Sequence, residues 1–271
     1  MASRASTGRP RLFSIAMVLA VGTPILETAA ARDVLDNGLV KAELENQSLV
    51  RLENTAIRQS IGIAGDSSSV TVDGKRVVTA DLTVTATEHC DSRVTYTYTA
   101  GSQQILVTYE LKPGWHLVSK QVRLVLPQGG SCRVDSVEAF SAALKTPAAH
   151  EHRAAGNTGA MFLRFNAAGT VNPFGLFLVI QNPQSKWSCK DGQVSMSYTP
   201  DMVWKAEYGP LDCDRVCLGL YQATGVEFPA RNIGEWKYVR DPERVRGGCP
   251  LGLGRDRGPD PLRRCLPALP S

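Results

Sequence analysis

Apolar and polar positions alternate with period two along residues 105–126, ILVTYELKPGWHLVSKQVRLVL. Ile105, Val107, Tyr109 and Leu111 share one face, and Leu106, Thr108 and Glu110 the other. Beyond Lys112-Pro113-Gly114-Trp115, Val118, Val122, Leu124 and Leu126 line up against Ser119, Gln121 and Arg123. Successive side chains on a strand point to opposite faces, so this pattern predicts two half-buried strands. Pro113 presets φ and Gly114 tolerates a positive φ, which makes the break a tight turn. A lone hairpin is marginal in water. The stretch therefore demands a partner sheet.

The rest of the chain supplies material for one. Residues 38–44 and 48–53 read as short strands around an Asn46-Gln47 turn. Residues 68–72 and 76–78 flank Asp73-Gly74, a strong hairpin signal. Residues 82–87 and 93–99 are rich in Thr, Val and Tyr, which suit a pleated, half-buried surface. Further strands are expected at 132–140, 161–165, 193–198, 216–221 and 236–239. The run 174–180, FGLFLVI, is nearly all apolar and reads as a strand buried on both faces. Residues 141–159 are small and polar and read as a long loop. About a dozen strands without an amphipathic helix predict an all-β fold, a large two-sheet antiparallel β-sandwich.

The 271 residues can hold one such domain. Three segments are expected: a signal peptide over 1–31, the sandwich over 32–240, and a Gly/Pro/Arg-rich tail over 241–271. Arg4, Arg9 and Arg11 form a basic start, followed by the interrupted apolar run 12–26 and small residues at 29–31. The run is too short and broken for a spanning helix of ~20 residues. Export to the periplasm or the extracellular space is the expectation, with no membrane attachment after cleavage. The tail cannot bury enough apolar surface to order itself. Its composition is also what out-of-frame reading of GC-rich DNA produces, a hypothesis that resequencing the locus tests. The net charge of +4 comes partly from arginines at the two ends. No basic stripe with interleaved aromatics tracks a phosphate backbone, so no nucleic-acid partner is expected.

Of the seven cysteines, Cys90, Cys132 and Cys189 are scattered, Cys213 and Cys217 lie close together, and Cys249 and Cys265 fall in the tail. A domain of this size does not need staples, and one bridge with open partners is the most that export suggests. Cys213 and Cys217 have no second close pair with which to hold zinc. His150-Glu151-His152 sits in the polar stretch without a third ligand and reads as a solvated loop. No metal and no cofactor is expected. No nucleophile-elbow, zincin or phosphate-loop motif occurs.

The order of features resembles a known family. The Gly38-Leu39-Val40 strand pair comes first. Val107-Thr108-Tyr109-Glu110-Leu111-Lys112-Pro113-Gly114 then runs into His116-Leu117-Val118-Ser119-Lys120-Gln121-Val122. The apolar strand 174–180 and the stretch Val194-Ser195-Met196-Ser197-Tyr198-Thr199-Pro200 follow. This resembles the galactose-mutarotase-like β-supersandwich that precedes the catalytic barrel in bacterial family 36-like glycoside hydrolases. The resemblance implies a sandwich packed on a (β/α)₈ barrel that carries both catalytic carboxylates. A barrel needs ~250 residues, and only the short tail follows Asp241. The chain is thus expected to be a truncated accessory domain whose partner is the missing catalytic domain or a carbohydrate. No catalytic residue transfers, either from the barrel or from the His and Glu of free-standing mutarotases.

Trp187, Trp204, Tyr208 and Trp236, with Asp201 and Glu207 nearby in sequence, are the candidates for a carbohydrate-binding surface. Pyranose rings present C–H faces that pack on indoles beside carboxylates. The bland alternative is that these aromatics pack the core. A stand-alone binding module and a mutarotase-like epimerase remain as competing functions. Truncation further predicts an exposed apolar patch at Trp204, Tyr208, Trp236 and Tyr238, and self-association.

Overall fold

A computed structural model describes residues 32–146, 148, 150–153, 159–165, 174–182 and 184–222. The expected signal segment, the strand at 236–239 and the tail lie outside the described residues, as do Trp236 and Tyr238.

The described residues form eighteen strands, the first nine being β1 (Arg32–Asp36), β2 (Val40–Glu45), β3 (Ser48–Asn54), β4 (Gln59–Val72), β5 (Lys75–Val78), β6 (Val84–Cys90), β7 (Arg93–Ala100), β8 (Gln103–Glu110) and β9 (Val118–Val125). There follow β10 (Ser131–Leu144), β11 (His150–Arg153), β12 (Ala160–Phe165), β13 (Phe174–Ile180), β14 (Lys186–Lys190), β15 (Gln193–Tyr198), β16 (Met202–Lys205), β17 (Leu211–Asp212) and β18 (Val216–Gln222). One sheet has the order β1-β2-β3-β4-β10-β15-β14, with β5 also on β4 and β16 also on β10. The other runs β11-β12-β13-β18-β9-β8-β7-β6, with β17 on β9. Every described pairing is antiparallel. The fold is the two-sheet antiparallel sandwich that the alternation predicts.

The organising hairpin is β8–β9, in register from Gln104↔Val125 to Glu110↔Ser119. Its turn closes with Trp115 N–H donating to Lys112 O, and Gly114 takes φ 77°. Asn37 fastens the turn from the β1–β2 connection: its Nδ2 donates to both Lys112 O and Trp115 O at 2.8 Å. Ile105, Val107, Tyr109, Val118, Val122 and Leu124 are buried in the inter-sheet core. Facing them are Leu44, Leu52, Ile61, Ile63, Val70, Val137 and Phe140 of the first sheet. Asn54 crosses between the sheets, donating to Leu220 O at 3.0 Å while its Oδ1 accepts from Ala56 N–H. Buried polar groups need such partners.

Two expectations change. Residues 141–159 do not form one long loop: β10 continues to Leu144, and β11 places His150-Glu151-His152 on a strand paired with β12. β4 also starts nine residues earlier than its Ser-Ser-Val-Thr-Val segment, at Gln59. In both cases a neighbouring strand supplies the pairing (Ala143↔Ala64, Leu144↔Ile63, His152↔Phe162). Strand propensity depends on such context, so small and polar residues join a sheet when a partner backbone is in place.

Cys90 is exposed, whereas Cys132 and Cys213 are buried, and all three carry free thiols. Burial pushes the Cys213 thiol up to about 12. Only the thiolate is nucleophilic. A maleimide at pH 8 is therefore expected to label Cys90 in the folded chain and Cys213 only after unfolding. Peptide mapping reads this out, and equal labelling of both in the folded state would contradict it.

Candidate functional site

The surface built on β16 gathers four of the six candidate residues. Asp201, at φ 47°, turns the chain into the strand. β16 pairs with the start of β10, from Val134↔Met202 to Ser131↔Lys205. Alternation then sends Met202 and Trp204 inward, where both pack against the core, and Val203 and Lys205 outward. The chain next makes a 3-10 turn over Ala206–Tyr208. Ala206 N–H donates to Gly130 O, and Trp204 Nε1 donates to Gly209 O at 2.9 Å. That bond anchors the turn on the indole.

Tyr208 is the exposed aromatic of this site. It is 56% accessible, and its ring meets the Trp204 ring edge-on, with centroids 5.5 Å apart. Lys205 Nζ stands 5.9 Å from the Tyr208 ring centre and 3.3 Å from Glu207. Asp201 pairs with Arg133 at the other end of β16, and Arg133 also reaches Asp135 at 3.3 Å. Four residues of strand separate Asp201 from Lys205, roughly 13 Å. The surface is thus one phenol ring on an indole support, with charged pairs toward both ends of the strand. Val203, 58% exposed, adds apolar area beside it.

Trp187 does not join this surface. It lies on β14 opposite Met196, which itself pairs with Phe140 of β10. Trp204 pairs with Cys132 of the same strand. Phe140 and Cys132 are eight residues apart, roughly 25 Å along an extended strand. Trp187 and Trp204 both pack half-buried against the core. They serve as packing side chains, and Tyr208 is the aromatic that faces solvent. Trp236 lies outside the described residues.

Of the described histidine side chains, His89 meets a carboxylate, with Nδ1 3.6 Å from Asp33 Oδ1. Tyr96 OH donates to the other oxygen of Asp33 at 2.5 Å. Burial, together with that bond, holds the Tyr96 phenol well above its usual range. The described residues include no group of three or more His, Cys, Asp or Glu side chains able to hold a metal ion.

A second polar cluster sits inside the sandwich. Lys120 of β9 and Asp66 of β4 face each other across the core, with side chains 1% and 0% exposed. Lys120 Nζ donates to Asp66 Oδ1 at 2.5 Å and to Ser67 O at 3.0 Å. Tyr109 OH and Leu49 N–H both donate to Asp66 Oδ2. The rings of Tyr109 and Phe140 wall the ammonium at 5.5 and 5.4 Å. Burial pushes the Lys120 ammonium toward its neutral amine, against the opposing pull of Asp66. The pattern-based reading of this hairpin passed over Lys120. The signal was present, because Lys120 falls in phase with Val118 and Val122 on the apolar face.

No protein-family model matches the chain, and no curated protein matches it. Solved structures do. A candidate kojibiose phosphorylase from the human microbiome matches at 8% identity and TM-score 0.46, covering 70% of this chain and 30% of that one. The family 36 α-galactosidase AgaA from Geobacillus stearothermophilus matches at 9% identity and TM-score 0.41, covering 70% and 40% respectively. A galactose mutarotase-related enzyme from Lactobacillus acidophilus matches at 8% identity and TM-score 0.38, covering 72% of this chain and 98% of that one. The chain thus spans well under half of the phosphorylase and the galactosidase, and nearly all of the mutarotase-related enzyme. The mutarotase-related enzyme and the family 36 galactosidase belong to the group that the strand order of the sequence resembles.

Proposed function

We propose that this chain is an exported, carbohydrate-associated β-sandwich that binds sugar without transforming it, as the accessory domain of a carbohydrate-active enzyme. The observation that carries the reading is Tyr208, a solvent-facing ring held on Trp204 with Lys205 and Glu207 beside it. A ring offers its face to the C–H groups of a pyranose, and the charged pair offers hydrogen bonds to its hydroxyls.

The test is calorimetric titration with galactose, α-galactosides and their oligosaccharides, alongside chromogenic turnover assays. Binding without turnover is expected. Tyr208→Ala should weaken binding by about 1–2 kcal/mol, roughly five- to thirtyfold in Kd. Turnover of α-galactosides would overturn the non-catalytic reading. Binding unchanged in Tyr208→Ala would overturn the site.

A second reading, a mutarotase-like epimerase, is favoured by the His89–Asp33–Tyr96 contact. General acid–base work needs such groups within hydrogen-bond reach of a sugar proton. Anomer exchange followed by NMR separates the two. Acceleration that disappears in His89→Ala supports the epimerase, and exchange at the buffer rate removes it.

A further inference from the structure

The Lys120–Asp66 contact has the features of a reacting pair as well as those of an ion pair. The amine and the carboxyl are in contact at 2.5 Å, and both are sealed from solvent. That contact is to Oδ1, one C–O bond of about 1.2 Å from the carbon under attack, so Nζ stands within roughly 3.7 Å of Cγ, close to the about 3–3.5 Å that productive intramolecular reactions need. Asp66 Oδ1 points at the amine. Asp66 Oδ2, the other oxygen, accepts two different donors, Tyr109 OH and Leu49 N–H. Two fixed donors on that second carboxyl oxygen are the arrangement that stabilises a tetrahedral oxyanion.

We infer that Lys120 and Asp66 condense to an isopeptide bond that covalently ties β9 of one sheet to β4 of the other. The pair can react as the neutral amine and the neutral acid. The proton shed by the ammonium passes to Oδ1, its hydrogen-bond partner, and the proton count does not change. Separated charges are costly in a dry core, and desolvation favours the amine. The Nζ lone pair attacks Asp66 Cγ, and the carbonyl electron pair moves onto Oδ2, where Tyr109 OH and Leu49 N–H hold it. One proton of Nζ passes to the Oδ1 hydroxyl, which leaves as water. The Oδ2 carbonyl re-forms. One C–N bond replaces one C–O bond, one water is released, and no oxidant or co-reactant is needed.

The product keeps the partners of the reactants. The remaining amide N–H has Ser67 O as its acceptor, and the amide oxygen retains the Tyr109 and Leu49 donors. Exclusion of water from the core also withholds the reagent for hydrolysis.

The test is the intact mass of the full chain under denaturing conditions, followed by proteolysis and peptide sequencing. The expected result is a chain lighter by one water, with a branched peptide joining the segments that contain residues 66 and 120. The Asp66→Asn variant should give the same branched peptide by loss of ammonia. Lys120→Arg should run at full mass with separate peptides. In a refolding time course, Tyr109→Phe should form the link roughly a hundredfold more slowly. A wild-type chain at unmodified mass, with both peptides recovered unbranched, overturns the inference and needs no variant to fold.

Discussion

Replacing Asp66 with alanine is expected to cost the fold about 3–5 kcal/mol, the penalty of stranding one partner of a buried charge pair. Asp66 receives four groups from three strands: the Lys120 ammonium, the Tyr109 hydroxyl, the Leu49 amide, and the Ser48 hydroxyl on its own backbone carbonyl. Alanine leaves the Tyr109 hydroxyl and the Leu49 amide without their acceptor inside a sealed core, and the Lys120 ammonium with the Ser67 carbonyl alone. Lys120→Met should cost a similar amount, because it leaves the carboxyl facing methylene groups. The double variant Asp66→Leu/Lys120→Met removes both charges and should recover the part of the loss that comes from the unpaired charge. What it does not recover combines the Tyr109 hydroxyl and the Leu49 amide, which still lack their acceptor, with the contribution of a covalent tie. Denaturant titrations of the three variants check this. Single variants that unfold within ~0.5 kcal/mol of wild type, the range of ordinary surface substitutions, would show that the pair is not buried as described.

Phe140→Ala is expected to lower stability by about 3–5 kcal/mol, the usual cost of emptying a buried ring site. The ring is fully buried. It lies just past a bulge in β10, where the register with β15 shifts between Glu138 and Phe140. Ser68 Oγ donates to the Ala139 carbonyl at that irregularity. β10 also pairs with β4 and β16. A cavity at Phe140 therefore loosens the strand that carries most of the first sheet, and it removes one wall of the Lys120 site. Tyr208→Ala is the matching control. It removes an exposed ring and should shift stability by no more than ~0.5 kcal/mol, so any loss of sugar binding in that variant reports on the surface alone.

The alternation of residues 105–126 identified the β8–β9 hairpin, its turn and its buried face, because period-two patterning is a local property of a strand. The same holds for the turns at Asn46-Gln47 and Asp73-Gly74, all four residues of which take positive φ. Sequence also selected Tyr208, Trp204, Glu207 and Asp201, which the tertiary structure places on or beside one short strand. It could not separate Trp187 from them. That separation depends on two strands pairing with different ends of β10. It read 141–159 as a loop because the strands that recruit Ala143 and His152 lie elsewhere in the chain. Lys120 is a polar residue in an apolar row, and a row alone does not say what faces it. Its partner lies 54 residues away on the opposite sheet. Contacts between sheets are decided by how two surfaces come together in space, and that distance leaves no periodic trace along the chain.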